Sequence, residues 1–273
     1  MKCSPHRSED KDLYKCFSKE ELVKIAESYN SFTKICEKGS CYRVKKISNL
    51  QDKSVKELYK SLYVRFKEIC KDEDCWVSLS FLETIPDKKF LENLKYFVFK
   101  PKMIGGRWKW LSTMDINYVL KQYEKFDDTF YFLGAQPCDF LKLGPNPLPL
   151  LPKGKKKIGL VLNWDTHDRS GSHWVAIFIE TEDDKNIDYF DSTGDSPKGN
   201  KHIFSVLQFL KKQIPGSKIR INKRVHQREN TECGVYSIYF IIQRILGNDF
   251  KSITDHIIHD KDMNLFRNFI FNY

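Results

Sequence analysis

Thr231-Glu232-Cys233-Gly234-Val235-Tyr236-Ser237-Ile238-Tyr239-Phe240-Ile241-Ile242-Gln243-Arg244-Ile245-Leu246 is the stretch on which the fold turns. Apolar side chains occupy nearly every position from Val235 to Leu246, with no alternation of period two. At this length the pattern predicts a helix that is apolar all round, and such a helix must be enclosed by other elements. A thiol opens it. Cysteine at a helix N-terminus meets the positive end of the macrodipole and unpaired backbone N–H groups, which favour the reactive thiolate. Gly234 adds no side chain, so the backbone beside the sulfur can be approached closely.

Working outward, the elements around this helix alternate. Ile158 to Asn163, Trp174 to Glu180 and Asn186 to Phe190 are short apolar runs that predict strands. The polar turn Thr181-Glu182-Asp183-Asp184-Lys185 makes the second and third an antiparallel hairpin. Ile203, Val206, Leu207 and Leu210 mark a helix stopped by Pro215-Gly216. Ile219, Ile221 and Val225 alternate as a further strand that ends near Gln227, and a last helix runs near Met263 to Ile270. Ser112 and Asp115 form a capping-box pattern ahead of Ile116, Val119, Leu120, Tyr123 and Phe126. Residues 144–157, dense in Pro and Lys, read as an exposed flap or connector.

Residues 1–105 have a different texture. Ser18 and Glu21 cap a helix with Leu22, Ile25, Tyr29 and Phe32 on one face. Val55, Leu58, Tyr59, Leu62, Tyr63, Phe66 and Ile69 form a second. An aromatic segment, Phe90 to Phe99, ends at Pro101 and Gly105-Gly106, which mark a boundary. The expected organisation is α+β: a helical N-terminal arm over 1–105, then over 106–273 a mixed, partly antiparallel sheet packed around the buried helix.

The 273 residues are 41% hydrophobic and 14% aromatic, which supports a sizeable core and excludes a disordered chain. Lys and Arg outnumber Asp and Glu by 46 to 36, a net charge of +10. The excess is mostly scattered Lys, read as a solvated basic surface that leaves room for weak nucleic-acid association. No apolar run is long enough to span a membrane, and the opening MKCSPHRSEDKD does not read as a secretory signal. The cysteines are therefore expected to be mostly reduced, as in a cytosolic-type compartment. The pairs Cys36/Cys41 and Cys70/Cys75 share a C-x4-C spacing, for which zinc is the minority reading.

Three residues join Cys233 in carrying chemistry. His173 stands where a loop meets a strand, a rigid position for a base whose ordinary pKa lies near neutrality. Asp191 ends the next strand. If the two strands are hairpin partners, the imidazole and the carboxylate are neighbours, and the acid can fix the tautomer and steady the imidazolium. Gln227, six residues before Cys233, offers an amide that could donate to an oxyanion. Taken singly, each has an ordinary reading as well: a buried structural thiol, a loop histidine, a turn aspartate, a surface glutamine.

Together, His173-Trp174 on a strand, Tyr189-Phe190-Asp191-Ser192 ending the next, and Gln227 with Thr231-Glu232-Cys233-Gly234 opening a buried helix resemble the clan CE cysteine proteases. These comprise the ubiquitin-like-protein (SUMO) proteases and adenain. Trp110-Leu111-Ser112 with Asp115-Ile116 is similar, with imperfect spacing, to the opening of the SUMO-protease domain. Within the clan, the likeness is greatest to the polyprotein-processing protease of African swine fever virus and its relatives in large DNA viruses. That viral enzyme has Asn as the third member, where this chain has Asp191; either side chain can orient an imidazole. The resemblance covers about 110–270. It implies a thiol peptidase with Cys233 as nucleophile, His173 as base, Asp191 as orienting group and Gln227 at the oxyanion, and Trp174 and Asn163 lining the substrate channel. It further implies cleavage after Gly-Gly-type sites in viral capsid or core precursors, without metal or organic cofactor. The expected state is a monomer in the host cytoplasm and the virion. Other readings are a SUMO-type isopeptidase, an acetyltransferase of the same clan, or a non-catalytic binding module.

Overall fold

The computed structural model describes residues 2–7, 10–37, 39–103, 105–106, 108–143, 154–182 and 185–273. Most of the 144–157 segment, expected as a flap or connector, lies outside the described residues. The chain divides into two compact units, Met1–Lys100 and Pro101–Tyr273.

In the first unit, α1 (Lys19–Asn30) is followed by the antiparallel pair β1 (Lys34–Glu37) and β2 (Ser40–Arg43), then α2 (Val55–Phe66) and α3 (Lys88–Phe97). Both α1 and α2 start at complete capping boxes, Ser18 with Glu21 and Ser54 with Glu57. Glu21 also takes a two-point ion pair from Arg7, at 2.5 and 2.7 Å. The core centres on Trp76, which stacks on Phe17 and Tyr59 and meets Phe66 edge-on. The hairpin escaped the sequence reading because strands this short show too few alternations to register.

The expectation of reduced thiols is corrected here. Disulfides join Cys3 to Cys16, Cys36 to Cys41 and Cys70 to Cys75, while Cys138 and Cys233 are free. The pairing follows local structure: Cys36 and Cys41 are direct cross-strand partners in the β1–β2 register. Thiols committed to these bonds are not available to zinc.

The second unit comprises α4 (Thr113–Phe126), β3 (Phe130–Pro137), β4 (Lys157–Asn163), β5 (Trp174–Glu180), β6 (Asn186–Phe190), α5 (Lys201–Gln213), β7 (Lys218–Ile221), α6 (Cys233–Ile245), α7 (Phe250–Thr254) and α8 (Asp260–Ile270). The five strands form one mixed sheet in the order β3-β4-β5-β6-β7, with β4-β5-β6 antiparallel and both edges parallel. Alternation along β5 separates two cores. Trp174, Ala176 and Phe178 face α6 and α4, whereas Val175, Ile177 and Ile179 face α5. The helix α6 is buried along its length, as its all-round apolar surface requires.

Two sequence expectations differ from the structure. The edge strand β3 was not foreseen; its pairing with β4 slips between Phe132 and Ala135, around Gly134, so it lacks a clean period. The strand expected to reach Val225 ends at Ile221, and Gln227 lies in irregular chain beyond it. Asn222, just past the strand, still donates its backbone N–H to the Tyr189 carbonyl at 3.2 Å, and its side chain bonds the backbone of Asp191.

A buried charge ties the sheet to α6. Asp188, fully buried on β6, receives a bidentate pair from Arg220 at 2.6 and 2.8 Å and a third bond from Arg244 of α6 at 3.0 Å. Removing the carboxylate takes the bidentate partner from Arg220 and leaves the buried Arg244 guanidinium with Glu180, at 2.5 Å, as its remaining counter-charge. Asp188→Ala is predicted to lower unfolding stability by about 3–5 kcal/mol, read as a fall in the urea midpoint.

Candidate active site

Cys233 is the first residue of α6 and is 5% exposed. Glu232 occupies the N-cap position without a side-chain cap, so the helix start presents its unpaired N–H groups near the sulfur. His173 directly precedes β5, and its backbone carbonyl accepts from Trp164 N at 2.7 Å. Asp191 directly follows β6. The register Ala176↔Phe190 brings these two strand ends together, and His173 Nε2 lies 2.7 Å from Asp191 Oδ1. Cys233 lies close enough to the imidazole to raise its pKa; with Nε2 on Asp191, Nδ1 is the ring nitrogen left for the sulfur.

Asp191 is fully buried and well supplied with donors. Thr193 donates to Oδ1 from its backbone N–H at 2.9 Å and its hydroxyl at 2.8 Å, and the Tyr189 hydroxyl donates to Oδ2 at 3.2 Å. Burial, with Asp191 beside it, pushes the Tyr189 phenol far above its ordinary pKa, so it stays a donor. Asn222 accepts from Asp191 N at 2.8 Å and donates to its carbonyl at 2.9 Å, fixing the backbone on both sides of the carboxylate.

Gln227 is held by Ser192. The Ser192 hydroxyl donates to Gln227 Oε1 at 2.7 Å, and Gln227 N donates to the Ser192 carbonyl at 2.9 Å. This fixes which end of the amide carries the donors; one N–H of Nε2 is committed to the Glu229 carbonyl, and the group has a second. Sequence reading found neither Ser192, Thr193 nor Asn222 as members of the site. Serine and threonine after a strand read as turn residues, and Asn222 lies 31 positions from Asp191.

A cleft of about 500 Å³ opens beside His173, lined among others by Trp110, Leu111, Asn163, Arg169 and Trp174. Trp174 is anchored rather than loose: its indole N–H donates to the Leu111 carbonyl at 2.9 Å. Asn163 lines the cleft with its carbonyl oxygen already occupied, accepting from Asp165 N at 2.9 Å and Ser172 N at 3.4 Å. Its amide nitrogen would lie 2.8 Å from a Cβ at position 171, where φ is +89°, so glycine is required there on both counts. Asn163 therefore shapes the loop that delivers His173.

The family described as the Ulp1 protease family, C-terminal catalytic domain, matches residues 153–272. Across 98% of its length and 92% of the relative's, the chain is 32% identical to a protein of Acanthamoeba polyphaga mimivirus named as a thiol protease. The chain belongs to the Ulp1 protease family. It is also 34% identical, over 83% of its length and 92% of the relative's, to the SUMO-1 cysteine protease of a Kenyan pig isolate of African swine fever virus. A crystal structure of the protease of that virus matches the fold with a TM-score of 0.66 at 22% identity, covering 100% of this chain and 96% of the other.

In this Ulp1-family cysteine protease two histidines sit in opposite electrostatic settings. Burial disfavours the charged form of His173, but hydrogen bonds and charge from Asp191 and Cys233 override it and raise its pKa to about 10. Burial, with Arg224 nearby, lowers His226 to about 4. Its Nδ1 accepts from Ile258 N at 3.2 Å, its Nε2 has no partner among the described residues, and its ring lies against Phe190. The stabilisation from His173 is present below its unfolded value of about 6.5 and is lost as pH rises through about 10. That from neutral His226 is present above 6.5 and is lost as pH falls through about 4. Unfolding free energy is predicted to drop on the acid side by at most about 1.4 kcal/mol per pH unit from this residue. In His226→Gln, that part of the slope should vanish in urea titrations at pH 4 to 7.

Proposed function

We propose that the chain cleaves polypeptides after Gly-Gly-type sites and processes capsid or core precursors during virion maturation, acting in the host cytoplasm and the virion. The observation that supports it most directly is the imidazole of His173, bonded to buried Asp191 and electrostatically coupled to Cys233 at the head of α6. The resemblance of the His173, Asp191 and Cys233 segments to polyprotein-processing viral proteases supports the precursor substrate class. The relative in African swine fever virus is named a SUMO-1 cysteine protease, which makes SUMO-type precursors the second arm of the test.

The proposed chemistry starts from a thiolate–imidazolium pair, for which a His173 pKa near 10 is favourable. The sulfur attacks the scissile carbonyl carbon, and the oxyanion is met by Gln227 Nε2 and backbone N–H groups at the α6 start. As the C–N bond breaks, the proton on His173 passes to the leaving amine. Water then attacks the thioester, giving its proton back to His173 and expelling the thiolate. Asp191 accepts from the imidazole throughout and holds the tautomer. Its full carboxylate charge steadies the imidazolium more strongly than a neutral amide in that place would. The aromatic side chains of Trp110 and Trp174 at the cleft suit a flat, extended backbone with small residues before the scissile bond.

The decisive experiment incubates wild type and Cys233→Ala with Gly-Gly-containing precursor fragments and with SUMO-type precursors, and maps products by mass spectrometry. Wild type should cut after Gly-Gly and Cys233→Ala should not. Cleavage persisting in the Ala variant would refute Cys233 as nucleophile, and SUMO precursors as the sole substrates would shift the reading to an isopeptidase. Gln227→Ala should lower kcat by about 10²–10³-fold with little change in KM, measured on the best fragment. In the pH–rate profile the alkaline limb should fall near pH 10, as His173 loses its proton.

A further inference from the structure

A second buried ion pair touches the same helix start. Glu232, the residue before Cys233, is fully buried, and a bare carboxylate there would repel a thiolate. Arg267 of α8, also fully buried, answers it: Nε and Nη2 both lie 3.0 Å from Glu232 Oε2. The same guanidinium donates from Nη2 to the Thr231 carbonyl at 3.1 Å and from Nη1 to the Lys109 carbonyl at 2.9 Å. Glu232 Oε1 accepts from the Thr231 hydroxyl at 3.0 Å. The planar fork of arginine suits this three-way arrangement in a way lysine does not.

What Arg267 grips bears on the site from two sides. Thr231 and Glu232 lead straight into Cys233. Lys109 leads into Trp110 and Leu111, which wall the cleft; the Leu111 carbonyl holds the Trp174 indole. Leu111 also presses on the helix start, since a Cβ at Gly234 would come within 3.0 Å of Leu111 Cβ. One guanidinium thus ties α8, the loop before the thiol and the cleft wall together.

We propose that Arg267 is a positioning residue for the thiol: it cancels the charge of Glu232 beside Cys233 and holds the segment 109–111 in register with the start of α6. This rests on the reading of Cys233 as the nucleophile. Among the described residues, four elements bring charged groups toward Cys233. His173 faces it from the end of β5, with Asp191 behind. Glu232 adjoins it on the loop, Arg267 reaches over from α8, and Asp260 at the head of α8 bonds the Tyr236 hydroxyl one turn along α6.

The test reads the thiol itself, by the pH dependence of Cys233 alkylation with iodoacetamide in the full chain. Mass spectrometry separates Cys233 from Cys138, and thermal unfolding confirms the fold of each variant. Arg267→Gln should move the alkylation midpoint up by on the order of one pH unit, because Glu232 is left uncancelled. Glu232→Gln should move it down, and the double variant should return close to wild type. A loss that was merely structural would move both single variants the same way. Shifts in the same direction, or no shift in folded variants, overturn the proposal; if Arg267→Gln does not fold, Glu232→Gln decides alone. Arg267→Lys, which keeps the charge and loses the fork, should hold the wild-type midpoint and lower kcat on a cleaved fragment. A full kcat in that variant would overturn the positioning half. Alkylation requires no peptide substrate, so it stands or falls separately from the cleavage experiment.

Discussion

A helix that is apolar on every face has to be surrounded, and α6 imposes that requirement on the whole of the second unit. The sheet covers one side through Phe178, Ala176 and Phe190, and α4 and α8 cover the others. Enclosure has a chemical consequence at the helix N-terminus. The walls that exclude water from Val235 and Ile238 also bring the rim of the sheet to the start of the helix, where β5 and β6 deliver His173 and Asp191. The burial that stabilises the fold therefore also dehydrates the imidazole–carboxylate pair, which strengthens its hydrogen bond.

Dehydration makes every charge in this region expensive unless it is answered. The structure answers each one with more than a single partner. Asp191 has the imidazole, Tyr189 and both groups of Thr193. Asp188 has two arginines. Glu232 has Arg267 and the Thr231 hydroxyl. These networks sit at the joints between the sheet, α6 and α8, so they fix the register of elements whose apolar surfaces alone would tolerate sliding. Gln227 follows the same logic without a charge, its amide oriented by Ser192 next to the carboxylate.

The unit 1–100 is built on another principle. Its helices are short and strongly amphipathic, its core is an aromatic cluster around Trp76, and its cysteines are paired within local segments. Pairings this local constrain turns and hairpins rather than long-range topology. The sequence showed the cysteine spacing but not its chemistry, because a C-x4-C pair is equally compatible with free thiols, metal ligation and a cross-strand bond.

Periodicity by itself determined the helix α6, the strands β4 to β6 and the capped helices, because burial of one face or of all faces leaves a mark on every residue of an element. The residue words around His173, Asp191, Gln227 and Cys233 named the chemistry, because the antiparallel pairing of β5 and β6 follows from one short turn. Only the tertiary structure decided the rest. Asn222, Leu111 and Arg267 reach the site from segments distant in sequence, and Ser192, though adjacent to Asp191, acts on Gln227 35 positions away; no local pattern shows these contacts. The strand β3 was hidden by its irregular register, and the disulfides by the lack of any sequence rule for which thiols meet. Contacts between distant segments are set by how whole elements pack, and no window of sequence contains that information.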